Sequence, residues 1–313
     1  MPEVSILIPT YNSGEFIEET IQSALSQTFR DFEIVLVDNA SSDNTWDVIC
    51  HYRDEYDNIK AFRNDKNIGP IKNWRRCIDE ASGKYGKILW SDDLIEPVFL
   101  EKTVPVMNAN ADIAFVYTPA IIFDDIEQNK IFYTYLSKSG TYPAKDFIKG
   151  ILYDRDFPNS PACALFRLSD LKKNLMLTIP NRFNSDASQH AIGNDLLLFL
   201  LTVKDYKFFS FINQPLARFR IHPNSITIGS QKKKLVLNYD IAKAYFVDNY
   251  LICHKQIKKF NSILWLHNLF YNTCPSVDRM YFRNKFFNKD WFFLVANIFN
   301  PRVYIKRLLR KFS

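Results

Sequence analysis

Between residues 4 and 93 the chain repeats one unit: a short apolar run that stops at a polar residue, then a stretch with helical spacing. The runs are V-S-I-L-I at 4–8, F-E-I-V-L-V at 32–37, I-K-A-F at 59–62 and I-L-W at 88–90. Runs this short, bounded by turn signals and charge, read as buried strands. Between them, Phe16, Ile17, Ile21, Ala24 and Leu25 recur at helical spacing. A second helix starts behind Ser42 or Asp43 and continues to about residue 56, and a third covers 71–81. Strands alternating with helices of this length predict a parallel α/β sheet with right-handed crossovers.

The next stretch is less regular. A helix is expected from 97 to about 108, and Ser91 or Asp92 is a candidate cap for it. A strand over 113–123 is interrupted by Pro119, and 124–130 reads as a hairpin loop into a strand at 131–136. Residues 144–152 look helical, 159–167 mix loop and strand, and 181–188 form a polar loop. A strongly apolar helix follows over 194–203, with Asp195 in its first turn, then strands over 207–212 and 216–221. I-G-S-Q-K-K-K near 228–235 breaks the pattern, and helical spacing resumes from about 232. The division expected is therefore a domain over 1–230 and a helical extension, basic and aromatic, over 231–313.

Several classes drop out. No apolar stretch approaches the ~18 uncharged residues of a membrane-crossing helix. The N-terminus lacks the basic and long apolar regions of a signal peptide. The 5 cysteines are scattered, with no C-x-x-C, so reduced thiols in a cytoplasmic protein are expected rather than disulfides or a zinc site. Nine bases face Asp290 alone between 279 and 313, so that stretch carries +8 of a net +6 and the remainder −2. A basic tail without a recognition motif gives no ground for nucleic-acid binding.

Polar residues gather at the ends of the strands: Thr10-Tyr11-Asn12, Asp38-Asn39, Asp92-Asp93 and Arg220-Ile221-His222. In open α/β sheets ligands bind outside the carboxyl ends of strands. The residue types suit a nucleotide: a carboxylate accepts from base or ribose, Tyr11 can stack on a base, and a carboxylate-held magnesium or manganese bridges to phosphate. Each has a blander reading when taken alone. Asp38 is then a turn residue, His222 a surface histidine before Pro223, and Asp195 a helix N-terminal carboxylate favoured by the macrodipole. His51, His190, His254 and His267 show no ligand spacing and read as structural. No G-x-G-x-x-G follows the first strand, which counts against a dinucleotide-binding fold, and the absence of G-x-x-x-x-G-K-[ST] removes the P-loop fold.

Taken together, V-S-I-L-I-P-T-Y-N, S-A-L-S-Q-T-F-R-D-F-E-I-V-L-V-D-N-A-S-S-D-N-T, N-I-G-P-I-K-N-W, K-I-L-W-S-D-D and R-F-R-I-H-P-N-S-I-T run in order over residues 3–228. In that order they resemble the inverting family 2 glycosyltransferases of the GT-A fold, of the bacterial surface-polysaccharide type. The resemblance implies nucleoside contacts from Thr10, Tyr11 and Asp38, and nucleotide contacts from Asn39, Asn67, Asp92 and Arg220. It implies a metal, Mn2+ or Mg2+, at Asp92 and His222. Asp195 matches the acidic residue at a helix start that serves as catalytic base, with Asp186 in reserve. Asn159, Arg182 and Asp186 fall in the half that shapes acceptor sites. Three positions depart from the pattern: Asn39 replaces a second Asp, Trp90 the first Asp of D-x-D, and Asn194 the Glu of an E-D pair.

The implied reaction is a single displacement that moves a sugar from a nucleoside diphosphate, UDP by preference, to a hydroxyl of a glycan or lipid-linked glycan. A sugar nucleotidyltransferase and a non-catalytic sugar-nucleotide binder are the rival readings. The former lacks its Gly-rich basic loop after the first strand; the latter is favoured by Trp90 and Asn194. In the tail, residues 291–295 are continuously apolar, and after Pro301 apolar residues interleave with five bases. That is the pattern of an interfacial helix on an anionic membrane surface at the inner face of the cell membrane, or of a stripe that packs on the body or on a second subunit.

Overall fold

The computed structural model describes residues 1–123, 130–223, 231–251, 253–274 and 289–298. The expected hairpin loop after 123, the boundary segment at 224–230 and the tail beyond 298 lie outside the described residues.

β1 (Val4–Thr10), β2 (Phe32–Asp38), β3 (Ile59–Arg63) and β4 (Tyr85–Ile88) form where apolar runs predict strands. α1 (Ile17–Leu25), α2 (Thr45–Glu55) and α3 (Pro70–Asp79) connect them. β1 pairs in parallel with β2 and β4, and β2 with β3. Successive side chains on a strand point to opposite faces. Leu7, Val35 and Val37 therefore enter one core, and Ile6, Ile8, Ile34 and Leu36 the other. Helices cover both faces, which is why these strands are apolar throughout instead of alternating.

The chain continues with β5 (Leu94–Ile95), α4 (Phe99–Ala109), β6 (Ile113–Tyr117), β7 (Ala120–Phe123), β8 (Lys130–Phe132), β9 (Gly140–Pro143) and α5 (Ala144–Leu152). After these come β10 (Ala164–Arg167), α6 (Leu168–Asn174), α7 (Ala187–His190), α8 (Asn194–Val203), β11 (Phe208–Phe211) and β12 (Ala217–Arg220). Three helices close the described chain: α9 (Lys232–Tyr250), α10 (His254–Tyr271) and α11 (Trp291–Ile298).

The main sheet has the order β3-β2-β1-β4-β10-β6-β11-β9, and a smaller one the order β5-β12-β7-β8. The main sheet is mostly parallel, with β10 antiparallel between β4 and β6 and β9 antiparallel at the edge. α8 is apolar nearly all round and correspondingly buried. Ile241, Phe246, Phe260 and Leu264 of α9 and α10 lie in the same core as Phe115, Phe166 and Phe199.

Some local expectations are corrected. β4 ends at Ile88; Leu89 still donates to Leu7 O at 2.9 Å, but Trp90 is already past the strand. Pro119 divides 113–123 so sharply that its halves join different sheets. The strand expected to 136 stops at Phe132, because Tyr133 takes a left-handed φ of 66°. α4 starts behind Val98, so neither Ser91 nor Asp92 caps it. The loop expected over 181–188 ends in α7. β9, α6 and β5 were not anticipated. No helix among the described residues is long and apolar enough to cross a membrane, and all 5 cysteines are free.

Candidate active site

β1 has β2 on one side and β4 on the other, so the chain leaves it in two directions and a crevice opens at the carboxyl ends. The loops after β1 and β4 meet there, with Ser13 Oγ 2.7 Å from Ser91 Oγ. Asn12 (φ 47°) and Ala40 (φ 59°) take left-handed backbone just past the ends of β1 and β2. Such conformations in residues other than glycine cluster at functional sites.

Tyr11 stands 47% exposed at the rim, while Thr10 is buried and its carbonyl accepts from Asn39 N at 2.9 Å. Asp38 is fully buried; it accepts from Ser41 N and Ser41 Oγ and pairs with Arg63 Nε at 3.0 Å. Its carboxylate thus shapes the turn after β2. Asn39 belongs to an amide network. Its Oδ1 accepts from Asn64 Nδ2 at 2.9 Å and Ile68 N at 3.0 Å, and its Nδ2 donates to Asn67 Oδ1 at 2.9 Å. Asn73 Nδ2 ties the same network to Val37 O at 3.0 Å. Only a side chain that donates and accepts fits position 39, which accounts for Asn in place of Asp.

At the end of β4, Asp92 Oδ2 lies 2.9 Å from His222 Nε2, and the His222 ring packs on Phe16 at 4.6 Å. Arg220 holds this corner. Its backbone N–H donates to Asp93 Oδ1 at 3.0 Å and its Nε to Asp92 O at 3.2 Å, while its guanidinium pairs with Glu19. Arg220 therefore braces the Asp92 backbone. Asp93 is buried, and burial together with the charge of Asp92 raises its carboxyl well above the usual range, so it does not accompany Asp92 at the surface. Beneath it, burial pushes the Lys87 amine down to about 7.

No group of three His, Cys, Asp or Glu side chains among the described residues converges as a metal cage. The Asp92–His222 pair is a different donor set, one carboxylate and one imidazole at an open edge. Magnesium is ordinarily held by one or two carboxylates with substrate phosphates, so the pair fits a cation that arrives with a diphosphate.

Asp195 lies in the first turn of α8, behind Ala191 (φ 57°) and Gly193 (φ 98°). Its Oδ1 accepts from Gly193 N at 3.0 Å and Leu196 N at 2.8 Å, and its Oδ2 from the Tyr239 hydroxyl at 3.0 Å. Burial lifts the Asp195 carboxyl to about 7, while the hydrogen bonds from Leu196, Tyr239 and Gly193 pull the other way. A carboxylate balanced near neutrality suits proton transfer. Asn194, in place of the Glu, is buried and donates to Met176 O at 2.6 Å, which anchors the start of α8.

Asn159 Oδ1 accepts from the Tyr133 hydroxyl at 2.7 Å, and its neighbour Ser160 accepts from Trp90 Nε1 at 3.1 Å. Trp90 packs on Trp74 at 4.4 Å, so the D-x-D departure joins an aromatic wall. Arg182 is exposed. Asp186 caps α7, accepting from Ser188 N at 3.0 Å, and hydrogen bonding from the Ser188 side chain and then its backbone lowers the Asp186 carboxyl below the usual range. Asp186 is thus engaged as a helix cap, while Asp195 is held by three donors. The sequence reading did not single out Tyr239, Tyr133 or Trp74. Trp74 closes the N-I-G-P-I-K-N-W stretch without a role from the resemblance, whereas Tyr239 and Tyr133 reach the site across long sequence separations and no local motif marks them.

The family model described as Glycosyl transferase family 2 matches residues 5–175, more than half of the chain. The chain belongs to glycosyl transferase family 2. A GalNAc(5)-diNAcBac-PP-undecaprenol beta-1,3-glucosyltransferase of Campylobacter jejuni is 29% identical over 249 residues, spanning 78% of this chain and 74% of the relative. A UDP-Glc:alpha-D-GlcNAc-diphosphoundecaprenol beta-1,3-glucosyltransferase of Escherichia coli is 30% identical over 148 residues, 47% of this chain and 49% of the relative. Among solved structures, S. aureus TarS 1–349 in complex with UDP-GlcNAc superposes with a TM-score of 0.66 at 19% identity, covering 86% of this chain and 74% of that one. That likeness supports the GT-A fold; the enzyme class, glycosyltransferase, comes from the family.

Proposed function

We propose that this glycosyltransferase moves a sugar from a UDP-sugar to a hydroxyl of a lipid-linked glycan, with inversion at the anomeric carbon. The observation that carries the reading is Asp195, a carboxylate lifted to about 7 at the start of a rigid buried helix. Asp195 accepts the proton of the acceptor hydroxyl as that oxygen attacks the anomeric carbon. The sugar–phosphate bond breaks on the opposite side, so an α-linked donor gives a β-linked product. Beta-1,3 linkages and diphosphoundecaprenol in the names of two relatives support both parts of this assignment. UDP-GlcNAc bound to the TarS neighbour supports a UDP donor.

Tyr11 and the Asn39–Asn67 network line the nucleotide end of the crevice, and Asp38 and Thr10 fix its floor. Asp92 and His222 would hold Mn2+ or Mg2+, which when bound supplies Lewis-acid neutralisation of the departing diphosphate. Arg220 keeps Asp92 in place. Asn159 and Arg182 belong to the acceptor side. The catalytic domain is assigned to residues 1–230 and the helical extension to 231–313, with the enzyme working at the cytoplasmic face of the membrane.

The test is a panel of UDP-sugars incubated with Mn2+ and a diphosphoundecaprenol-linked sugar. UDP release with formation of a β-linked product is expected. Formation of UTP and sugar 1-phosphate when pyrophosphate is added in place of the acceptor would instead mark a nucleotidyltransferase, and binding of UDP-sugar without turnover a non-catalytic relative.

A further inference from the structure

The hydroxyl of Tyr239 on α9 reaches Asp195 Oδ2 at 3.0 Å from a helix outside the family-matched stretch, which ends at residue 175. We propose that Tyr239 is a positioning residue for Asp195, so that the C-terminal helix α9 completes the catalytic centre. The proposal rests on Asp195 being the base.

Three donors fix the carboxylate. Gly193 N and Leu196 N hold Oδ1, and Tyr239 holds Oδ2. An ionised carboxylate offers about four lone-pair sites. One site on Oδ2 therefore stays open to an acceptor hydroxyl, and the Tyr239 bond sets its direction. Without that bond the side chain is tethered at one oxygen only and is free to rock about it.

α9 is seated so that this bond is made reproducibly. A Cβ at Gly193 would lie 2.9 Å from Asn238 O and 3.1 Å from Ala242 Cβ, so the missing side chain lets α9 close on the residue that starts α8. Next to Tyr239, Asn238 Oδ1 accepts from Ser185 Oγ at 2.5 Å, and Ser185 Oγ also lies 3.0 Å from His190 Nε2. The loop that precedes the base is thereby tied to the helix that supplies the tyrosine.

The titratable groups facing Asp195 are Tyr239 from α9 and Tyr133 from the segment after β8. Burial first, and the Asp195 charge second, raise Tyr239 well above the ordinary tyrosine range, so it stays a donor throughout neutral pH. Tyr133 gives its hydroxyl to Asn159 Oδ1. A donor to the ionised carboxylate favours ionisation, and its loss favours protonation.

The experiment compares pH–rate profiles of UDP release, using whichever UDP-sugar of the panel the wild type turns over fastest. Tyr239→Phe is expected to move the acidic limb of kcat upward by about one pH unit, the size of a single hydrogen bond to a charged group. KM for the donor should stay near wild type, and the rate should recover above the shifted limb. Difluorotyrosine at position 239, a stronger donor of nearly the same shape, should move the limb downward, and it covers the case in which Tyr239→Phe fails to fold. A limb that stays in place in either protein overturns the proposal. Asp195→Asn separates the two ideas: full turnover by that variant removes Asp195 as base and this proposal with it. An inactive Asp195→Asn beside an unshifted Tyr239→Phe removes only the role of Tyr239.

Discussion

His222 Nε2 stands 2.9 Å from Asp92 Oδ2, although 130 residues separate the two in the chain. The smaller sheet makes the meeting: β12 pairs with β5 directly after Asp92-Asp93, and Arg220 donates to the Asp92 carbonyl and to the Asp93 carboxylate. Two donors from opposite ends of the domain thus share one edge of the crevice. Asp92→Ala is expected to abolish metal-dependent UDP release, and His222→Ala to raise the Mn2+ requirement by about 10- to 100-fold, the usual scale for groups that hold or support a metal. Calorimetric titration of UDP with and without Mn2+ reads this directly. UDP affinity indifferent to chelator and to both substitutions would remove the metal role.

Asp195→Asn should lower transfer by about 100- to 10,000-fold while donor binding is kept. With Asp195 as the proposed base, which acts ionised, the wild-type rate should climb with pH through about 7. Stability runs the other way. The folded carboxyl lies above its ordinary 3.8, so its contribution is complete below that value and is lost as pH rises through about 7. Asp195→Asn should then melt higher than wild type at pH 8, by about 2–4 kcal/mol, and equally at pH 4. The amide can still accept from Gly193 and Leu196, and it can donate to Tyr239. A variant less stable than wild type at pH 8 would show that the charge is better solvated than the site suggests.

The parts of this site carried by single strands were legible in the sequence. V-S-I-L-I-P-T and F-E-I-V-L-V-D are apolar on both faces because helices cover both, so they announce themselves, and the polar residue that stops each run marks the crevice. α8 was legible from end to end, since a helix buried all round has no polar face to blur its limits. The strand within 159–167 was legible as β10, but its antiparallel insertion between β4 and β6 was not, because that depends on tertiary partners. Tyr133 ends β8 by a left-handed φ that nothing in its own sequence requires. Asn39, a departure from the family's second Asp, is the residue type that completes an amide network of Asn64, Asn67 and Asn73.

A largely buried charge cluster, with Asp154 at its exposed edge, ties the C-terminal helices to the body. His267 Nδ1 faces Asp240 at 2.9 Å and its Nε2 faces Asp154 at 2.6 Å, with Lys243 Nζ 2.6 Å from Asp154. Burial alone would lower the imidazole, but Asp240 and Asp154 outweigh it and raise His267 to about 9. A raised histidine contributes stability that is complete below its ordinary 6.5 and is lost as pH rises through about 9. Wild type should lose about 3 kcal/mol across that window. His267→Gln should be less stable at pH 7, since it leaves buried Asp240 without its cation while Asp154 keeps Lys243, and should lack most of that slope. Denaturant melts at pH 7 and pH 10 compare them, and equal slopes would assign the loss to other groups.

α11 divides the expected apolar stripe between two environments. Leu294 is buried against Ile263 and Leu266 of α10, with Phe293 beside them, while Trp291, Phe292 and Val295 remain 65%, 88% and 52% exposed. Packing on the body therefore accounts for one side of the helix and leaves three large apolar residues in water. Lys289 lies over the Trp265 and Trp291 rings at 4.9 and 5.5 Å, which puts a base at the border of that exposed face. Nine bases against one acid between 279 and 313 suit an anionic surface, each worth about 1 kcal/mol and weakened by salt. Wild type should sediment with phosphatidylglycerol-containing vesicles at low salt. At about 0.15 M salt the double variant Trp291→Ser, Phe292→Ser should lose most of the binding that wild type keeps there, because the bases alone cannot anchor once salt screens them. It keeps Leu294 and Phe293, so the docking of α11 on α10 is preserved. Equal partitioning of the two proteins would discard the aromatic face as the anchor, and a wild-type dimer dissociated by the same substitutions would assign that face to a second subunit.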